Sequence, residues 1–252
     1  MAKVFTVINN KGGTGKTTTT LNLGAALAKS RKKVLLIDLD AQSNLTSSFG
    51  INGVEKHVGD FMLNSINADE VLFKTQKINL IPGSEKLIEY EHKINNEPGN
   101  EFLLREALDK IQDRFDYIII DCAPNLGVYS VNSLVAADYY IVPMQAENFA
   151  FIGLDKILQV AAKVKKRLNQ KLELAGILIV RQAHKTKFSQ AVITNIGMSE
   201  ELGRKLFETL IRQDISLMES TAFGKSIFEY APKSRGAEDY KKFANELIKK
   251  YG

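Results

Sequence analysis

Short runs of Ile, Val and Leu alternate along this chain with longer stretches whose apolar residues recur at helical spacing. KVFTVIN at Lys3–Asn9 reads as a strand, and a glycine-rich turn follows it. A helix is then predicted from about Thr17 to Ser30, carrying Leu21, Leu23, Ala25, Leu27 and Ala28. Further strands are predicted at Lys33–Leu39, Ile78–Pro82, Tyr117–Asp121, Tyr139–Pro143 and Leu174–Val180, with helix-length segments between them. These runs are continuously apolar, which is the pattern of strands covered on both faces. Strand–helix alternation of this kind implies an α/β fold: a single domain over residues 1–252 with a mostly parallel, twisted sheet wrapped by helices on both faces. No internal repeat or low-complexity linker divides the chain. The last predicted helix, Ala237–Lys250, spaces Tyr240, Phe243, Ala244, Leu247 and Ile248 as an apolar face and is expected to pack on the core.

Composition narrows the class. The 252 residues are 44% hydrophobic and 25% charged, which suits a globular protein with a sizeable core. No apolar stretch approaches the roughly 18 residues of a membrane span, and the N-terminus has no signal-peptide pattern, so the expected location is cytoplasmic. The lone cysteine, Cys122, excludes an intrachain disulfide and any multi-cysteine metal site within one chain; it is expected to be a small buried residue. Charge is uneven: residues 1–126 hold 15 basic and 16 acidic side chains, and residues 127–252 hold 19 and 13. A basic second half points weakly to a polyanionic partner.

Candidate chemistry is concentrated in Asn10–Thr18, NKGGTGKTT, placed after a strand and opening a helix. That context is what a phosphate-binding loop requires. Glycines let the backbone approach phosphates, so that successive N–H groups and the helix N-terminus face the anion. Lys11, Gly12, Gly13, Thr14, Gly15, Lys16, Thr17 and Thr18 are therefore the candidate nucleotide-binding residues. Lys16 would reach the β- and γ-phosphates, and the Thr17 hydroxyl would hold Mg²⁺. Asn10 stands where this loop ordinarily begins with glycine, and Lys11 is an additional lysine.

KGGTGKT resembles the deviant Walker A motif of the ParA/MinD group of P-loop ATPases. Four more stretches, in order, resemble the ParA branch, also called Soj: IDLDAQSNLT ending at Thr46, FDYIIIDCAPNLG at Phe115–Gly127, IVPMQAENFAFIGL at Ile141–Leu154 and PKSRGAEDY at Pro232–Tyr240. The resemblance implies a P-loop NTPase fold that uses ATP and Mg²⁺, with partner-stimulated hydrolysis. It implies that Asp121 holds Mg²⁺ through water and that Asp40, the second acid of DLD, orients the attacking water. Asp38 would support the Mg²⁺ shell or the loop. Lys11 would cross a dimer interface to the partner's nucleotide, so that ATP is sandwiched between two chains. Glu147 and Asn148 match a family position near the nucleotide interface, and Arg212, Gln213 and Asp214 match the adenine pocket.

The same resemblance implies non-specific DNA binding, a ParB-type centromere-binding protein or adaptor as partner, and association with the nucleoid. Lys185, Lys187, Arg212 and Lys225 are the candidate DNA contacts. Gln213 and Ser216 stand where relatives commonly carry arginines, a departure that Arg212, Lys185 and Lys187 would have to offset. Two alternatives share these motifs: a positioning ATPase with a protein cargo, and a MinD-like membrane switch. The latter is disfavoured by DLDAQSN and by a final helix expected on the core, so no membrane partner is expected. A metabolic ligase or a redox iron protein is a more distant relative, and the single cysteine argues against the redox branch.

Overall fold

A computed structural model describes the chain except residues 76–77, 148–149 and 183–186, together with the side chains of residues 150, 187–190, 193 and 201. Seven strands form one sheet: β1 (Lys3–Val7), β2 (Val34–Leu39), β3 (Phe73–Lys74), β4 (Asn79–Ile81), β5 (Tyr117–Cys122), β6 (Tyr139–Met144) and β7 (Glu173–Ile179). Their order is β3-β4-β2-β5-β1-β6-β7, and every pairing is parallel except β3 with β4. Six of these strands lie where the apolar runs predict them, with ends shifted by a residue or two. The two residues of β3 are both exposed, so they give no apolar signal, and the sequence misses this antiparallel edge.

Within each apolar run, alternate residues enter opposite cores, because successive strand side chains point to opposite faces. Leu35, Ile37, Ile118 and Ile120 join one cluster, while Val34, Leu36, Tyr117 and Ile119 join the other. The second cluster is closed by the terminal helix, Arg235–Tyr251, which buries Tyr240, Phe243, Ala244 and Leu247 against the helix Lys16–Lys29. Each large side chain buried this way stabilises the fold by roughly 1.5–3 kcal/mol. The expectation that this helix packs on the core is met. Among the described residues no helix is long and apolar enough to cross a membrane.

Parallel strands end at a common edge, and the loops after β1, β2, β5 and β6 gather there. The free edge of β7 is covered by the segment 205–213, which bonds through Ile177 N to Lys205 O at 2.7 Å and Ile211 N to Ile179 O at 2.8 Å. This segment carries Arg212 and Gln213 from late in the sequence to the strand ends.

Candidate nucleotide site

The loop after β1 wraps tightly before the helix Lys16–Lys29 begins. Gly13 and Gly15 have φ of 73° and 80°, a left-handed backbone that costs any residue with a Cβ about 1–2 kcal/mol. Neighbouring elements hold the loop. Asn9 Nδ2 donates to Pro143 O at 2.7 Å, Lys11 N to Asn9 Oδ1 at 3.0 Å, and Gln145 Nε2 to Gly13 O at 2.9 Å. No acidic residue lies in the first turn of the helix, so its N–H groups present an unneutralised positive end.

Lys16 is buried, and its Nζ donates to Lys11 O at 3.2 Å. Burial lowers its pKa, while Asp121, Cys122 and Asp40 pull in the opposite direction. Thr17 Oγ1 donates to Asp121 Oδ2 at 2.7 Å, and Thr20 Oγ1 lies 3.4 Å from Asp121 Oδ1. Asp121 is fully buried at the end of β5; desolvation first, and then nearby Asp38, hold its pKa well above the carboxylate range. A threonine hydroxyl beside a carboxylate that needs a compensating positive charge is a donor set that fits Mg²⁺, a hard cation preferring oxygen.

Asp38 faces Asp121 in the β2–β5 register, yet its oxygens are already engaged. Oδ2 accepts from Thr46 N at 2.9 Å and Thr46 Oγ1 at 2.7 Å, and Oδ1 accepts from Asp40 N at 3.1 Å. Burial nevertheless pushes its pKa up to about 6. Of its two expected roles, this geometry favours holding the loop over supporting Mg²⁺. Asp40 is mostly buried, with Oδ1 accepting from Gln42 N at 2.9 Å. Two participants were missed in the sequence. Thr46 links Asp38 to Gly83, whose N–H donates to Thr46 Oγ1 at 2.9 Å, and a Cβ on Gly83 would lie 2.9 Å from Asp38 Cγ. Pro82-Gly83 directly after a strand was the available signal. Cys122 is buried between Thr6 and Ser133, as expected, with its pKa pushed up to about 11 by burial.

Lys11 and Glu147 form an ion pair of 2.8 Å within the chain. Beyond them lies a cavity of about 460 Å³ lined by Gly15, Thr18, Glu147, Gln213, Asp214 and Tyr240, among others. Loop residues and the expected adenine segment are thus brought to one cleft. Arg181, a basic residue of the second half that the sequence offers for the DNA face and not for the base, also lines it, with a left-handed φ of 53°. Asp214 braces this wall, accepting from Ser216 N at 3.0 Å and Gly236 N at 2.8 Å.

The DNA candidates fare differently. Arg212 Nε and Nη2 bond Asp239, and Nη2 also reaches Glu238 Oε2 at 2.7 Å. Asp239 is almost fully buried, so this guanidinium serves as a brace, which counts against it as a phosphate contact or as an offset for the missing arginines. Lys225 is exposed. Lys185, the side chain of Lys187 and Asn148 lie outside the described residues.

Comparison with known proteins agrees with this construction. The AAA domain family matches residues 2–174. The sporulation initiation inhibitor protein Soj of Bacillus subtilis is 36% identical over 98% of each chain. A structure named cobyrinic acid a,c-diamide synthase from Mycobacterium smegmatis, with an ATP analogue and magnesium, is 32% identical with a TM-score of 0.87, covering 100% of this chain and 96% of that one. A putative plasmid partition protein from Borrelia burgdorferi bound to AMPPNP is 26% identical with a TM-score of 0.83, covering 99% and 100%. With its phosphate loop, its Thr17–Asp121 pair and these full-length likenesses, the chain belongs to the ParA/Soj family of P-loop ATPases.

Proposed function

We propose that this chain is a partitioning ATPase. It binds ATP and Mg²⁺, closes into an ATP-sandwich dimer, binds DNA without sequence preference, and releases it when a ParB-type partner stimulates hydrolysis. Its place in the cell is then the nucleoid, and its cargo a plasmid or chromosome. The observation that carries this reading is the Thr17–Asp121 hydrogen bond beside Lys16, the arrangement a P-loop ATPase needs at its metal position. Bound Mg²⁺ would neutralise phosphate charge there. Thr17 directly and Asp121 through water would hold it, Gly12–Gly15 and Lys16 would hold the phosphates, and Gln213 and Asp214 would border the base. Asp40 orients the attacking water. Lys11, delivered across the dimer, supplies charge where it develops, so hydrolysis is coupled to assembly.

The test is phosphate release and DNA retention measured over a salt series with ATP, ADP and no nucleotide. Non-specific contacts to phosphates weaken steeply with salt. Retention that depends on ATP supports the cycle; equal retention in all three states removes the switch. The likeness to the protein named cobyrinic acid a,c-diamide synthase favours a second reading, ATP-dependent amide synthesis. Phosphate release with no carboxylic acid or amide donor present decides against it.

A further inference from the structure

The short helix Ile215–Ala222 leaves one face uncovered. Leu217 and Ser220 are buried, whereas Ile215 and Met218 are 64% and 55% exposed, and Phe223 just beyond the helix is 65% exposed. Ile215 and Met218 share a face by their spacing of three. Phe223 stacks on Tyr230 with ring centroids 5.5 Å apart, which continues the apolar strip onto the next helix, Ile227–Tyr230. Three of the nine large apolar side chains exposed among the described residues therefore sit on one short segment. Clustered apolar exposure marks an interaction surface more often than scattered exposure does. The next residue, Gly224, also walls a cavity of about 350 Å³ lined by Phe49, Ile78 and Phe228, among others, a volume that admits an anchoring side chain.

Charge selects the occupant. The helix ISLMESTA has no basic residue, and its one acid, Glu219, already accepts from Tyr230 Oη at 3.1 Å. Double-stranded DNA requires cations at phosphate positions, and this strip supplies none. Cations stand instead at its margin. Lys225 follows Gly224, and Arg235 opens the terminal helix, where Gly236 packs so closely on Leu217 that a Cβ would lie 2.7 Å from Leu217 Cγ. Both are exposed, and neither has an ion pair among the described residues. We propose that the Ile215–Met218–Phe223 strip docks an amphipathic helix of a protein partner, with an apolar stripe against the strip and acidic flanks facing Lys225 and Arg235. Met218 also lines the nucleotide cavity, so docking and base occupancy meet at one side chain. The proposal goes beyond the ATPase cycle and does not depend on DNA binding.

The test follows Ile215 and Met218 methyl resonances of the full chain during titration with two synthetic helices sharing one leucine stripe, one flanked by glutamates and the other by lysines. Anionic phospholipid vesicles and duplex DNA are parallel arms. The Ile215→Gln/Phe223→Gln variant changes two exposed side chains outside the nucleotide cavity, and its fold and ATP affinity are checked alongside. Expected are saturable shifts with the glutamate-flanked helix, binding about tenfold weaker for the lysine-flanked one, and a comparable loss in the variant at unchanged ATP affinity. Equal binding of both helices, binding that survives in the variant, or absence of any helix binding overturns the proposal. Shifts produced by vesicles or DNA instead of either helix also overturn it.

Discussion

Lys11 Nζ lies 2.8 Å from Glu147 Oε2 of the same chain, with both side chains about half exposed. The extra lysine of the loop is thus engaged by a residue that lines the cleft, and an exposed pair of this kind adds little to stability. Lys11→Ala is expected to keep nucleotide affinity and thermal stability but to lose ATP-dependent dimerisation, with hydrolysis reduced on the order of 10³-fold. Glu147→Gln frees the ammonium without deleting it and should leave turnover within about tenfold of the parent. Light scattering with ATP, together with phosphate release, checks both; unchanged turnover in Lys11→Ala would remove its assigned role.

Asp121 is buried where its charged form is costly. Asp121→Asn keeps an acceptor for Thr17 and removes that charge, so the nucleotide-free protein should be as stable as the parent or more so. Affinity for Mg²⁺-ATP should nevertheless fall, by about 10–100-fold if the carboxylate orders the metal's surroundings. Thermal melts with and without Mg²⁺-ATP separate the two effects. A variant that melts lower without ligand yet gains the same ligand shift would contradict both.

Arg212 is the main cation held against the buried carboxylate of Asp239. Among the described residues, Arg212→Ala leaves that carboxylate the backbone N–H of residue 212, at 2.9 Å, as its hydrogen-bond donor. The expected cost is about 1–3 kcal/mol, measured by urea denaturation. DNA retention, measured where the variant is still folded, should be unchanged. A selective loss of retention with intact stability would restore Arg212 as a DNA contact.

His57 caps the helix Val58–Met62, its Nδ1 accepting from Gly59 N at 3.1 Å, and its ring packs edge-on against Tyr90. Burial, reinforced by Lys86 and Lys93 and opposed by Asp60, lowers its pKa below the unfolded value of about 6.5. The neutral cap therefore contributes fully above that pH, and its contribution is lost as acidification charges the ring. The melting temperature should fall more between pH 7.5 and pH 5 in the parent than in His57→Asn, which retains a capping acceptor and does not titrate. Parallel melting curves for the two proteins would refute this.

Much of the fold was legible because its signals are local. A continuous apolar run such as VLLIDL contains both faces of a buried strand, and NKGGTGKTT contains its own turn geometry, with glycines at the two left-handed positions. The resemblance to the ParA family implies that Asp121 and Thr17 share one site, and the two meet at 2.7 Å across 104 residues of sequence. Strand β3 escaped notice because pairing at an exposed edge needs backbone and not apolar side chains.

From its sequence alone this protein can be assigned an α/β sheet, a phosphate loop at a strand end, a buried cysteine and a terminal helix packed on the core. Tertiary structure decided the division of labour among its charges. It turned Asp38 toward Thr46, Lys11 toward Glu147 and Arg212 toward Asp239, and it left Ile215, Met218 and Phe223 uncovered. The physical reason is range. Backbone conformation and apolar periodicity are set by neighbouring residues, whereas the partner that claims a carboxylate, a guanidinium or an apolar face arrives from elsewhere in the chain when the elements pack.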